Sequence, residues 1–220
     1  MRILALDAAT SACSVALVED GRVLAHRLKV MERGQAEALM PMLADALDET
    51  GLAVADFDRI AATVGPGAFT GIRIGLAAAR GLCLASGKPF FGLTTTRAVA
   101  GGVFADERPG MTLVTVVEAK RAELFGQLFS PDLEPLGEIF AAAPQDFVAH
   151  LPNTPLMLVG DGSIRLKDVL RGPNVSWSRA PGHPDAVQVA LGVAERADQG
   201  HAPLPPRPLY LRAPDVTLPK

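Results

Sequence analysis

The chain holds one tryptophan, one tyrosine, two cysteines and four histidines, and nowhere eighteen uninterrupted apolar residues. Each scarcity removes a class of function. Trp177 and Tyr210 alone make no stacking platform for single-stranded nucleic acid, and a net charge of −3 leaves no basic excess for a phosphate backbone. The chain is not expected to grip RNA or DNA by itself. Cys13 and Cys83 stand far apart in apolar contexts, which reads as two small core residues rather than a disulfide or a metal pair. No two of His26, His150, His183 and His201 are three or four residues apart, so none share a helical face as zinc ligands would. There is no Gly-x-Ser-x-Gly elbow, and Glu118 and Glu123 flank a charged hairpin turn where solvated charge is the ordinary reading. No catalytic residue and no metal ligand is assigned. Without a long apolar run no membrane span is expected. Asp7 interrupts the N-terminal apolar run too early for a signal peptide, so the expected location is cytoplasmic.

What is present is a real core, at 49% hydrophobic content, and one dominant stretch from Ile60 to Gly87. Ile60–Val64 reads as a buried strand. Pro66 and Gly67 suit the two central positions of a type II turn. Thr70 is placed to cap a helix, with Phe69 and Ile74 as a hydrophobic staple and Gly87 as the stop. From Gly71 to Ser86 the only charged side chains are Arg73 and Arg80. A helix with no polar face has to be covered on two sides, by its own sheet and by something else. Gly71, Gly75 and Ala78 or Ala79 would let another helix approach closely; complete burial within one domain is an equally open reading. The spacing Gly65-x-Gly67-x-x-x-Gly71 is neither a dinucleotide fingerprint nor a Walker A loop.

Before this unit, strands are expected at Ile3–Asp7, Ala12–Val18 and Val23–Lys29, the last two joined by an Asp20-Gly21 hairpin. A helix over Gln35–Thr50 carries Pro41, which should kink it, and two apolar stripes. Leu39, Leu43 and Leu47 form one, and Ala38, Met42 and Ala46 the other, a candidate contact surface. After it come a strand at Pro89–Leu93 and a short helix capped within Thr94–Thr96. The second half reads as strands at Leu113–Glu118, Glu123–Phe129, Leu136–Phe140 and Leu156–Val159, with helices at Pro144–His150, Ser163–Leu170 and Asp185–Asp198. Six prolines in Ala202–Lys220 make an extended surface arm. The expected division is residues 1–103, 104–201 and 202–220. Asp7 at a strand end could serve a metal or phosphate or simply pin a turn, and Gly160-Asp161-Gly162 could touch a nucleotide or be a turn capped by Ser163.

Ile3–Asp7 with Ala12–Leu17, Gly65–Gly75 and Pro208–Arg212 together resemble the TsaB (YeaZ) family. The resemblance is specific over about the first hundred residues and looser beyond; Ala68 stands where the family usually has serine. It implies an α/β, actin-like ATPase (ribonuclease H-like) fold of two lobes, with mixed sheets flanked by helices. It implies a non-catalytic paralogue of TsaD, the enzyme that transfers threonylcarbamoyl to N6 of adenosine 37 in tRNAs reading ANN codons. TsaD holds its metal with paired histidines on the first helix; here Arg33–Pro41 has none, and Gln35 stands where TsaB relatives often keep one. By the resemblance, Ala38, Met42 and Ala46 on one helix pack against TsaD. So do Gly71, Arg73, Ile74, Gly75, Ala78, Ala79 and Leu82 on the other. The same surface would make a homodimer in isolation, and TsaE would join near the cleft. The tRNA is met only through the complex, and ATP and metal are used by partner subunits, with no cofactor on this chain. Asp7, Thr10, Gly160, Asp161 and Gly162 would be a vestigial nucleotide site. The rival reading is a small actin-like ATP-dependent kinase using Asp7 and Gly160–Gly162; the scarce histidines stand against a third, a zinc-dependent glycoprotein peptidase.

Overall fold

Asp20 and Gly21 both take positive φ, 47° and 79°, which matches a two-residue turn to the right-handed twist of the strands it joins. The hairpin so formed starts the first of two sheets. The computed structural model describes residues 1–211. β1 (Arg2–Asp7), β2 (Ala12–Glu19) and β3 (Arg22–Val30) run antiparallel, and β4 (Arg59–Thr63) and β5 (Phe90–Leu93) add in parallel to give the order β3-β2-β1-β4-β5. The second sheet repeats this plan. β6 (Thr112–Glu118), β7 (Leu124–Phe129) and β8 (Phe140–Ala142) are antiparallel, β9 (Leu156–Val159) and β10 (Val175–Trp177) are parallel, and the order is β10-β9-β6-β7-β8. The duplication is one of topology and leaves no repeat in the sequence.

The parallel joins of the first sheet need crossover helices. α1 (Gln35–Thr50) connects β3 to β4 and continues through Pro41, and α2 (Phe69–Ser86) connects β4 to β5 and stops at Gly87, φ 70°. α3 (Thr95–Gly101) is capped by Thr94, whose hydroxyl accepts the Arg97 N–H at 3.1 Å. In the second half α4 is a single turn (Pro144–Phe147), followed by a 3₁₀ turn at Val148–His150.

Several expectations change here. Leu136 lies in a turn rather than a strand; its N–H donates to Leu128 O, and regular pairing begins only at Phe140. Ser163–Leu166 is 3₁₀, not the start of a helix to Leu170. β10 was not foreseen, since three half-buried residues carry too short a pattern to read. α5 (Ala186–Asp198), counted by sequence with the second half, packs on the first sheet. Its Ala186, Val189, Ala190 and Val193 share a buried cluster with Ile3, Ala5, Ala16 and Val18. α1 covers the opposite face with Leu39, Leu43 and Ala46. The halves are also joined by polar side chains: Thr96 Oγ1 donates to Gln127 Oε1 at 2.6 Å, and the buried Arg97 pairs with Glu195.

Candidate functional site

β1 ends at Asp7, and the chain must turn at once into β2. Residues 8–10 make that turn directly beneath the start of α2. A Cβ on Gly71 would lie 2.0 Å from Ala8 O, and one on Gly67 2.3 Å from Ala9 O, while Ala68 N–H donates to Ala9 O at 2.7 Å. These glycines exist so that two backbones can touch. The expected type II turn is not formed: Gly67 takes φ 159°, far from the value of about 80° that such a turn needs at its third position. Nor does Thr70 cap the helix: α2 begins one residue earlier, at Phe69, with Ala68 in the cap position and no side-chain cap bond.

Asp7 is sealed in by this contact, at 0% exposure, and Thr10 is at 3%. Asp7 Oδ1 accepts the Thr63 hydroxyl at 2.5 Å and the Ala9 N–H at 3.3 Å, and among the described residues Oδ2 has no partner. Burial pushes the carboxyl up to about 7, against the pull of the two hydrogen bonds and helped by the charges of Asp185 and Asp161. Across the molecule a Cβ on Gly160 would lie 2.0 Å from Val116 O, and Asp161 Oδ1 accepts the Glu118 N–H at 2.9 Å. Gly160-Asp161-Gly162 is therefore a turn locked onto β6, and Gly160 and Gly162 are buried. Asp7 and Thr10 are closed off by this packing, whereas Gly160 lines a hollow of about 200 Å³ together with Ser163 and Lys167.

The raised carboxyl predicts a pH dependence with a definite sign. In the unfolded chain an aspartate ionises near 4. Between about pH 4 and 7 folded Asp7 keeps a proton that the unfolded chain releases. The stability it preserves is complete below about pH 4 and is lost as the pH rises through about 7, by at most about 4 kcal/mol. Asp7→Asn should flatten the stability curve over that window and raise the melting temperature at pH 8; thermal melts from pH 4 to 8 read both.

α2 has three sides. Its inner side, Gly71, Ile72, Gly75, Leu76 and Ala79, is buried. Ile74, Ala78, Leu82 and Cys83 are half-buried and pack with α1, where Leu39, Leu43 and Ala46 are buried and Ala38 and Met42 half-buried. The expected contact set is corrected accordingly. Ala46, Gly71, Gly75 and Ala79 face their own chain, and of that set Arg73 alone is exposed. The physical reason is phase: an apolar helix offers no polar face to fix its rotation, so every small residue looks equally available.

A second flank is covered by the arm, whose described part ends at Leu211. Leu204 bridges the free edge of β5 at Gly92, and Leu209 N–H donates to Val64 O at 2.7 Å. Leu204 and Leu209 pack into a small cluster with Ile72 and Leu76 of α2. Arg212, the last residue of the motif Pro208–Arg212, and the rest of the arm lie outside the described residues.

The third side is open. Phe69, Arg73, Ala77, Arg80, Gly81, Leu84 and Ala85 are all exposed, Leu84 at 88%. Ala77, Gly81, Leu84 and Tyr210 were missed by the sequence reading. The available signal was Arg73 and Arg80, seven residues apart and so on one helical face, which marks the side that meets solvent.

A cleft of about 670 Å³ lies between the starts of α1 and α2 and the β6–β7 turn, lined by Arg33, Gln35, Glu37, Thr70 and Lys120 among others. Gln35 is a brace in its wall, its Nε2 donating to Thr10 O and Met31 O, each at 3.2 Å. Among the described residues no group of three His, Cys, Asp or Glu is placed to hold a metal ion, and no helix is long and apolar enough to cross a membrane.

Residues 28–153 match the family model described as TsaD: tRNA N6-adenosine threonylcarbamoyltransferase. The chain is 38% identical over 133 residues to the tRNA threonylcarbamoyladenosine biosynthesis protein TsaB of Escherichia coli, covering 60% of this chain and 56% of that protein. Its fold superposes on YeaZ from Pseudomonas aeruginosa with a TM-score of 0.82 at 27% identity, over 96% of this chain and 99% of that one. The chain belongs to the TsaB (YeaZ) family. A TM-score of 0.52 at 14% identity to the ROK hexokinase of Thermus thermophilus, over 91% of this chain and 100% of that one, extends the likeness at the level of fold alone. The two-lobe actin-like architecture expected from the resemblance is the one observed, with its two mixed sheets flanked by helices. Within this TsaB-family chain the Gly65–Gly75 motif has a concrete physical role: it seats α2 on the β1–β2 turn and so fixes which of its sides faces outward.

Proposed function

We propose that the chain is a non-catalytic scaffold subunit. It binds TsaD, and through it TsaE, for transfer of threonylcarbamoyl to N6 of adenosine 37 in tRNAs reading ANN codons. The observation that carries this reading is the open side of α2. Ala77, Gly81, Leu84 and Ala85 form an exposed stripe of small and apolar groups on a helix that its own sheet, α1 and the arm cover elsewhere. Single exposed apolar residues are ordinary, whereas a contiguous stripe continued onto α1 by the exposed Ala36, Met40 and Ala44 is the mark of a contact face.

Charge supports a paired arrangement. α1 carries Glu37, Asp45, Asp48 and Glu49 and no lysine or arginine, while α2 carries Arg73 and Arg80 and no acid. A partner presenting a similar helix pair can set acid against base, whether it is TsaD or, in isolation, a second copy. The E. coli relative is a protein of tRNA threonylcarbamoyladenosine biosynthesis, which supports the same direction. ATP, metal and tRNA contacts belong in this reading to the other subunits. A self-sufficient kinase is disfavoured because Asp7, its necessary acid, has no route to solvent.

The test is reconstitution with purified TsaD and TsaE. The chain should raise tRNA modification by the mixture and alone turn over neither ATP nor peptide. ATP hydrolysis by the chain alone, lost in Asp7→Asn, would establish the kinase instead.

A further inference from the structure

We infer that the arm completes the docking face. Tyr210, stacked on Phe69 and bonded to Arg73, is a contact residue for a partner helix that carries a carboxylate opposite Arg73. This rests on the scaffold reading and adds to it a part of the chain distant in sequence and the chemistry of what it meets.

The geometry begins at the N-terminal end of the open stripe. The Arg73 guanidinium carbon lies 3.6 Å from the centre of the Phe69 ring, its Nε donates to the Tyr210 hydroxyl at 2.9 Å, and the two rings stack at 5.5 Å. Phe69 and Tyr210 remain 47% and 42% exposed. An arginine stacked on one aromatic ring and bonded to the hydroxyl of a second ring that stacks on the first is the composition of interface anchors, which combine large area with few freedoms to lose. Tyr210 is also held before any partner arrives. Its neighbour Leu209 is bonded to Val64 O, and Leu204 and Leu209 are packed against α2, so little ordering remains for binding to bring about.

The chemistry of the partner follows from what Arg73 has left over. Its plane is stacked and its Nε is used; among the described residues Nη1 and Nη2 have no partner. Two parallel N–H donors at an exposed edge fit a carboxylate. Arg80, about 10 Å further along the same side, likewise has no ion pair among the described residues, and α2 contributes no acid of its own. The α2 of a second copy has no acid to set against these arginines. A partner helix with small apolar residues at its centre and an acid toward the Arg73 end fits better, and this is the occupant to which the proposal commits.

The test titrates purified TsaD with the full chain and with Tyr210→Phe, Tyr210→Ala, Arg73→Glu and Gly81→Arg, each checked by its melting temperature. Tyr210→Ala should weaken the mixed complex about tenfold and Arg73→Glu about a hundredfold, with Tyr210→Phe, which keeps the stack and loses only the hydrogen bond, in between the unchanged chain and Tyr210→Ala. The salt dependence of binding should shrink in Arg73→Glu. If Tyr210→Ala, Tyr210→Phe and Arg73→Glu all bind as the unchanged chain does while Gly81→Arg fails, the arm is only internal support: the inference is overturned and the scaffold stands. Weakening of self-association alone, with the mixed complex intact, overturns it equally. If the unchanged chain does not bind TsaD, both readings fall together.

Discussion

Gly71→Ala is expected to destabilise the chain by about 4 kcal/mol or more, one of the largest losses a single methyl group can cause. The added Cβ would sit 2.0 Å from Ala8 O and 3.1 Å from Ala8 C. Both are backbone atoms of the β1–β2 turn, so no flexible side chain can swing aside, and either the turn or the start of α2 has to move. For a chain of this size the loss corresponds to a melting temperature lower by about 10 °C. Gly81→Ala, ten residues along the same helix, supplies the contrast. Nothing lies within 4 Å of its Cβ position, and its φ is helical, so alanine should be neutral or stabilise by up to about 1 kcal/mol. Paired thermal melts decide the matter, and similar losses at the two positions would mean that α2 is not seated on the turn as described.

The second large effect concerns binding with the fold preserved. Gly81→Arg replaces an exposed helical glycine by a better helix former, with open space for its side chain, so the melting temperature should hold or rise. The same arginine stands at the centre of the open stripe, where a partner helix would need to approach most closely. Affinity for TsaD should fall at least about a hundredfold by calorimetric titration. Unchanged affinity would remove this side of α2 from the interface. Ala79→Arg makes a poor test of the same idea: Ala79 is 0% exposed, and a lost complex there would report only unfolding.

The elements of the first half were legible because each has a local cause. The Asp20-Gly21 turn, the bounds of α1, the stop at Gly87 and the Thr94 cap all depend on residues within a few positions of one another. What could not be read depends on contacts distant in sequence. Gly67 and Gly71 look like turn chemistry and helix-helix spacing until the carbonyls of Ala8 and Ala9 are found against them. The same blindness made Gly160-Asp161-Gly162 resemble a phosphate cradle, when Gly160 is there to clear Val116 O. The arm was recognisable as extended, but no pattern in its prolines reveals that Leu204 and Leu209 would meet Ile72 and Leu76. That contact also revises the reading of α2, since its own chain covers part of the apolar surface that seemed to require another subunit.

The candidate contact face was therefore half legible. An almost uncharged helix announces that something covers it, and the two arginines fix its phase. Taken together they place the open side at Ala77, Gly81 and Leu84, one residue round from the Ala78 and Ala79 that small-residue spacing alone suggests.

Sedimentation velocity of the unchanged chain mixed with an equal amount of the TsaD from its own organism bears most directly on whether that side is a subunit contact. The account predicts a single faster boundary containing both chains in equal number. Two boundaries, each moving as it does for the separate protein at micromolar concentration, would contradict it.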